Sequence, residues 1–328
     1  MAVMPGAEMD ITPALVVSLL ASQHPDLAHL PLRSAGHGWD NALFRLGPDL
    51  VARLPRREVA DALMVAEQQW LPGQTAHLGV PTSAPLRVGL PDFGYPWHWS
   101  VCQWIDGVSG LTVPRAERSP SARPLAQFLI DFQQPAPPDA PVSPVGRGGP
   151  LTARDDVVRA RLSALPGVPT TRLLHVWKAA ITAPAWGQAP LWLHGDLHPA
   201  NVVLGPGGAL AGVVDFGDLC SGDPATDLAA AWLHFDSDGR DAFRAEVERL
   251  RPTDAATWTR ARGWALSIGS AMAASSDDSP AFLALGLEVL HSVLLDHGTR
   301  RGGPNPGRRS TGSAPVPRVC GRPTRRGR

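Results

Sequence analysis

The chain has 328 residues, 44% apolar, 18% charged and 6% aromatic. That apolar share is ordinary for a packed globular protein and excludes wholesale disorder; the length suits one large domain or two modest ones. Cys102, Cys220 and Cys320 lie far apart, which excludes a disulfide framework and offers no metal-ligand spacing.

The opening segment has Glu8 and Asp10 and no basic residue around its short apolar run. It reads as neither a signal peptide nor a membrane span, and a reducing cytoplasm is the expected location. Thr12 and Pro13 open a helix to about Gln23 as N-cap and first helical residue. LPLRSA, GHGWDN, ALFRL and LVARLP then read as three short strands joined by turns. A helix follows from Val59, with Leu63, Ala66, Trp70 and Leu71 at helical spacing, and YPWHWSVCQWIDG reads as a further strand ending in a turn. Trp97, Trp99 and Trp104 are expected to pack rather than to cage a ligand.

Past Gly110 the pattern turns helical, with Leu125, Phe128, Leu129 and Phe132 on one face. The Pro/Gly-rich stretch 135–150 cannot hold regular structure and reads as an exposed loop. Two helices, a strand–turn–strand (NVVL, GPGG, ALAGVVDF), and more helix from Asp223 to about His297 complete the reading. Residues 298–328 contain 12 Gly or Pro and are expected to be disordered.

The net charge of 0 hides a partition. Residues 1–185 balance at 15 basic and 15 acidic; residues 186–297 hold 6 basic and 15 acidic, net −9; residues 298–328 hold nine Arg and no acid. Such asymmetry speaks to partners rather than to fold.

The chemistry concentrates in LWLHGDLHPANVVLGPGGALAGVVDFGD, residues 191–218. Asp196 and Asn201 share one loop, and an apolar hairpin returns the chain so that Asp215 comes back beside them. Three oxygen-bearing side chains then converge, the donor type that Mg²⁺ shares with substrate phosphates. Phosphoryl transfer needs little more than neutralised charge, a carboxylate facing the acceptor hydroxyl, and positioning.

These residues resemble the aminoglycoside phosphotransferase and choline kinase-like branch of the protein-kinase-like fold. HGDxxxxN is matched by His194 to Asn201, the DFG-like site by Asp215, Phe216 and Gly217, and the following GDPxxDLA by Gly222 to Ala229. The resemblance reaches back to Gly36-His37-Gly38-Trp39-Asp40-Asn41 and covers roughly residues 30–297. It implies an α+β, bilobed fold with a small mixed β-rich N-lobe and a larger, mainly helical C-lobe. The expected domains are 1–104 for nucleotide binding, 105–297 for catalysis and substrate, and 298–328 as the tail.

It also implies Asp196 as catalytic base, with Asn201 and Asp215 holding Mg²⁺ against ATP (GTP stays open). Gly36 and Gly38 would lie over the phosphates, and the strand end Cys102 to Ile105, with Cys102 and Trp104, would meet the adenine. His194 is read as a structural loop residue, Asp223 as a helix N-cap and Asp227 as a loop brace; Asp218 is left open. The family's strand lysine has no counterpart, because the only lysine, Lys178, falls in a helix of the other half. Arg53 replaces it, with Glu67 as the helix partner; Arg keeps the charge and grips carboxylate and phosphate oxygens with a longer fork.

The −9 segment suggests a cationic, amine-bearing acceptor, with Asp236, Asp238, Asp277, Asp278, Glu288 and Asp296 as candidate contacts. A neutral acceptor such as a macrolide, or a non-catalytic nucleotide-binding protein, are the alternatives. No membrane contact is expected, nucleic acid only through the basic tail, and oligomeric state stays open. The short segment after Asp218 disfavours a peptide substrate.

Overall fold

The computed structural model describes residues 6–276 and 279–295; Asp277, Asp278, Asp296 and the 298–328 segment lie outside the described residues. Helix α1 (Pro13–Gln23) begins as its sequence dictates, with Leu15 N–H donating to Thr12 Oγ1 at 3.2 Å and Pro13 in the first turn. Val16, Leu19 and Leu20 of this helix join Phe44, Leu46, Ala52, Leu54, Trp99 and Val101 in one apolar cluster. The sheet beneath is antiparallel, built from β1 (Leu32–His37), β2 (Asn41–Leu46), β3 (Leu50–Pro55), β4 (Pro85–Gly89) and β5 (Trp99–Gln103) in the order β1-β2-β3-β5-β4. Alternation along central β3 sends Ala52 and Leu54 into that cluster. Arg53 falls on the opposite face, where α2 (Val59–Thr75) lies.

Helix α2 forms where the spacing put it, and two details go beyond the sequence reading. The inward face of α2 is Ala60, Met64, Glu67 and Leu71, while Leu63, Ala66 and Trp70 are only half-buried. Glu67 lies on the inward face because it meets Arg53, the partner its sequence position named, although apolar periodicity alone does not register it. Strand β4 was also not foreseen: it is short, starts at a proline and forms the sheet edge, with Leu86 and Val88 exposed.

The rest of the described chain is mainly helical. Helix α3 (Ala122–Phe132) buries Leu125, Phe128, Leu129 and Phe132 as its pattern requires. After the short strand β6 (Val108–Ser109) and α3 come α4 (Asp155–Ala164), α5 (Thr170–Thr182) and β7 (Leu191–Leu193). The hairpin β8 (Val202–Leu204) and β9 (Leu210–Val213) is followed by β10 (Cys220–Gly222), which pairs with β7. Helices α6 (Ala225–Leu228), α7 (Ala230–His234), α8 (Ser237–Leu250), α9 (Ala255–Ala274) and α10 (Pro280–Leu295) close the lobe. Trp177, Trp192, Trp232 and Trp264 are buried at the centre of this second, larger cluster. Two clusters with separate sheet and helix content make the fold α+β and bilobed.

The stretch 135–150 has no helix or strand, as expected, but it is not simply an exposed loop. Ala140 and Ser143 are buried, and Gly148 runs against Leu193 and Gly222. Its packing bears directly on the site.

Candidate active site

The chain leaves β7 at Leu193 and turns sharply through His194, Gly195 and Asp196. Gly195 sits at φ +84°, and a Cβ there would lie 2.3 Å from the Asp218 carbonyl oxygen. The turn is held from below by Asp227, whose Oδ2 and Oδ1 accept from the His194 and Gly195 N–H groups at 2.8 and 2.9 Å. Burial pushes the Asp227 carboxyl up, against these donors, and the residue braces the loop as its sequence position implied. Both His194 ring nitrogens are engaged, Nε2 with Val214 C=O at 3.0 Å and Nδ1 with the Asp196 N–H at 3.3 Å. Its role is therefore structural. Gly195→Ala is expected to destabilise the protein by about 1–3 kcal/mol, from positive-φ strain together with the Asp218 clash. A melting curve showing no loss would contradict this account of the turn.

Asp196 emerges from the turn with its side chain 23% exposed. Oδ1 accepts from Arg147 Nη2 at 2.8 Å, and Oδ2 lies 3.2 Å from His198 Nε2. Burial favours the neutral acid, but the His198 and Arg147 charges outweigh it and hold the carboxyl well below the usual range. Asn201 folds back under the loop, its Nδ2 donating to Asp196 C=O at 3.0 Å, which leaves Oδ1 for another partner.

The β8–β9 hairpin delivers Asp215. Val202 pairs with Val213, and the Val214 N–H donates to Asn201 C=O at 2.9 Å, so Asp215 follows one residue beyond that pair. It adopts φ +63°, a left-handed conformation that a non-glycine residue keeps only where its surroundings enforce it. The Asp215 N–H donates to Ser83 Oγ at 3.1 Å, while Val213 exchanges backbone hydrogen bonds with Pro81 and Ser83. The link between α2 and β4 thus anchors Asp215 to the small lobe.

Arg53 and Glu67 form a two-armed pair, Nη1–Oε2 2.5 Å and Nη2–Oε1 3.2 Å, with both side chains buried. Burial alone would disfavour the guanidinium charge, but Glu67 holds its pKa above the ordinary value. Arg53 Nη2 also lies 3.9 Å from Asp215 Oδ1, whose side chain is 58% exposed. One arginine therefore links α2, β3 and the hairpin end.

Gly36 (φ +90°) and Gly38 occupy the exposed β1–β2 hairpin, and a Cβ at either would meet nothing within 4 Å. Gly38 C=O accepts from Arg56 Nη1 at 3.1 Å, and Asp40 pairs with Arg57, tying the hairpin to the start of α2. Cys102 is fully buried between β3 and β4, and burial raises its thiol to about 11. The Trp104 N–H donates to Asp49 C=O at 2.7 Å, and its ring packs 4.1 Å from the Arg45 guanidinium. Its backbone donor is thus already committed inside the protein.

Asp223 does more than cap a helix. It accepts from the Ala225 N–H at 3.0 Å and also holds Arg260 in a buried pair at 2.6 Å.

Two residues in contact with Asp196 were not anticipated. His198 lies inside the motif, so its spacing from Asp196 was available as a signal. Arg147 comes from the 135–150 stretch, and only its flanking glycines hinted at a constrained backbone: a Cβ on Gly148 (φ +73°) would lie 2.7 Å from Leu193 Cδ1. For a divalent ion, the hairpin offers the Asn201 amide oxygen and the Asp215 carboxylate, hard donors of the type Mg²⁺ takes.

The model of the phosphotransferase enzyme family matches residues 31–264. The chain belongs to that family. No curated protein sequence matches it. Among solved structures, the GDP complex of aminoglycoside 2'-phosphotransferase-IIIa is similar at 20% identity and TM-score 0.61, covering 87% of this chain and 99% of that one. The apoenzyme of a macrolide 2'-phosphotransferase from Brachybacterium faecium is similar at 18% identity and TM-score 0.55, covering 84% and 97%. An aminoglycoside phosphotransferase from Streptomyces rimosus follows at 19% and 0.52, covering 80% and 98%. The family member therefore has the kinase-like, bilobed fold that its motifs implied. Among its described residues no helix is long and apolar enough to cross a membrane.

Proposed function

We propose that this chain transfers the γ-phosphoryl group of ATP, or of GTP, to a hydroxyl of a small molecule, with residues 1–104 serving the nucleotide. The observation that supports this most is the joining of Asp196, Asn201 and Asp215 by one loop and one hairpin. Asp196 accepts the hydroxyl proton as the acceptor oxygen bonds to the γ-phosphorus; the bond to the β-phosphate oxygen breaks and the nucleoside diphosphate leaves. Arg147 and His198 fix the carboxylate's direction. Arg53, oriented by Glu67, reaches the nucleotide phosphates, and Gly36 and Gly38 let backbone N–H groups approach them. Asn201 and Asp215 would hold Mg²⁺, which when bound neutralises phosphate charge. The adenine would meet the backbone around Cys102, with Trp104 packing beside it.

The acceptor read from charge and from the family is amine-bearing and aminoglycoside-like. Asp236 caps α8 by accepting the Gly239 N–H at 2.9 Å, and Asp238 is an exposed first-turn residue. Glu288 is half-exposed and lies 3.5 Å from Arg115, so an amine there would share it with that arginine.

The test is a nucleotide-consumption screen across amino sugars, macrolides, choline-like alcohols, amino-acid alcohols and hydroxy acids, with Asp196→Ala as the blank. Consumption above that blank for one class is the expected result. Wild-type protein that fails to bind Mg·ATP or Mg·GTP would end the kinase reading and favour a non-catalytic one.

A further inference from the structure

Asp196 is met by more donors than its orientation requires. His198 Nε2 lies 3.2 Å from Oδ2, and Asn201 Nδ2 donates to the Asp196 C=O at 3.0 Å, so side chain and backbone are both fixed from within the motif. Arg147 adds a full positive charge 2.8 Å from Oδ1, brought from a loop 49 residues upstream.

That placement is built into the lobe. The Gly148 N–H donates to Thr226 Oγ1 at 3.0 Å, and the Gly148 C=O accepts from the Asp223 N–H at 2.9 Å. The Ser221 N–H donates to the Pro141 C=O at 2.9 Å. Asp227, next to Thr226, holds the His194 and Gly195 N–H groups. Two adjacent residues thus carry the arginine's loop and the base's turn, which fixes Arg147 and Asp196 relative to each other.

Only one arm of the guanidinium is used. Nη2 meets Asp196, whereas Nη1 finds no acceptor among the described residues and is not shut off from solvent. No described carboxylate other than Asp196 lies within ion-pair distance of Arg147. The arginine side chain is 16% exposed, beside a carboxylate that is 23% exposed. A hydroxyl that gives its proton to Asp196 sits about 2.6–3.2 Å from the carboxylate, and the phosphorus it attacks lies about 3–3.5 Å further on. The equatorial phosphoryl oxygens, where charge gathers during transfer, then fall within a few ångströms of a cation that already touches the base. Arg53 is committed elsewhere, beside Asp215, and Lys178 is exposed on α5.

We propose that Arg147 is a catalytic residue whose free Nη1 arm bonds an equatorial oxygen of the γ-phosphoryl group while Nη2 stays with Asp196. This rests on the kinase reading, since only then does Asp196 mark the place of the attacking oxygen. The acceptor oxygen bonds to phosphorus, its proton passes to Asp196, and the bond to the β-phosphate oxygen breaks. Arg147 exchanges no proton. Once Asp196 is neutral, the arginine's charge is left to the phosphoryl oxygens, and a two-armed fork suits that exchange between two anions.

Aluminium fluoride, which with Mg·ADP imitates the phosphoryl group in transfer, tests this on the full chain without an acceptor. Mg·ADP is titrated with and without fluoroaluminate into the wild type, into Asp196→Asn, and into Asp196→Asn combined with Arg147→Gln or Arg147→Lys. Relative to Asp196→Asn, the glutamine variant is expected to lose at least about tenfold of the tightening that fluoroaluminate gives, with Mg·ADP alone bound as before. The lysine variant, which keeps the charge but not the fork, should lose less; it is the one read if the glutamine variant does not fold. An arginine that only aims Asp196 has no base left to aim in this background. Undiminished tightening in a folded variant therefore overturns the proposal, as does a wild type that binds Mg·ADP and is not tightened. Either of those results leaves the kinase reading standing, whereas a wild type that binds neither Mg·ADP nor Mg·ATP overturns both.

Discussion

Replacing Asp196 with asparagine is expected to lower kcat by about 10²–10⁴-fold, the range a positioned general base contributes, while Mg·nucleotide still binds. The substitution keeps the side-chain size but removes the charge that takes the hydroxyl proton. The Arg147 and His198 contacts hold this carboxyl well below its usual pKa, so it is ionised throughout the neutral range. An acid limb of the rate near pH 6 would therefore have to arise from another group. Single-turnover rates and nucleotide titrations on the same variant separate the chemical step from binding. Unchanged turnover would remove Asp196 from the reaction.

The second large effect is expected at Arg53. Arg53→Ala leaves the Glu67 carboxylate buried and unpaired, and breaking such a pair from one side costs about 3–5 kcal/mol. Denaturant unfolding measures this. Arg53→Met with Glu67→Met should recover most of the stability, because no uncompensated charge then remains in the interior. That double variant also isolates function: folded, but lacking the guanidinium 3.9 Å from Asp215, it should bind nucleotide at least about tenfold more weakly. Full nucleotide affinity in the folded double variant would assign the pair to architecture alone.

The two predictions differ in how far the sequence could support them. Spacing alone joined Asp196, Asn201 and Asp215, because a loop and a short hairpin leave few ways to arrange separations of five and fourteen residues. The Arg53–Glu67 partnership was likewise accessible, since a strand residue and a following helix face each other when the chain turns directly between them. For the same reason α1, β1 to β3 and α3 fall where capping residues and apolar periodicity put them. Local rules end at the α2 face, where a buried ion pair outweighs the apolar stripe.

The sequence by itself determined the fold class, the family, and the residues strung along one continuous segment. Only the tertiary structure decided that Arg147, 49 residues before Asp196, lies against its carboxylate. It also decided that the Trp104 N–H is spent on Asp49. The physical reason is common to all of these. Periodicity and capping report a residue's relation to its own neighbours within a turn or two, whereas a contact made by an irregular loop depends on where distant elements pack. A Pro/Gly-rich segment such as 135–150 has no period to read, so its route across the site is set by glycine clearances against Leu193 and Gly222 that exist only once β7 and β10 have paired.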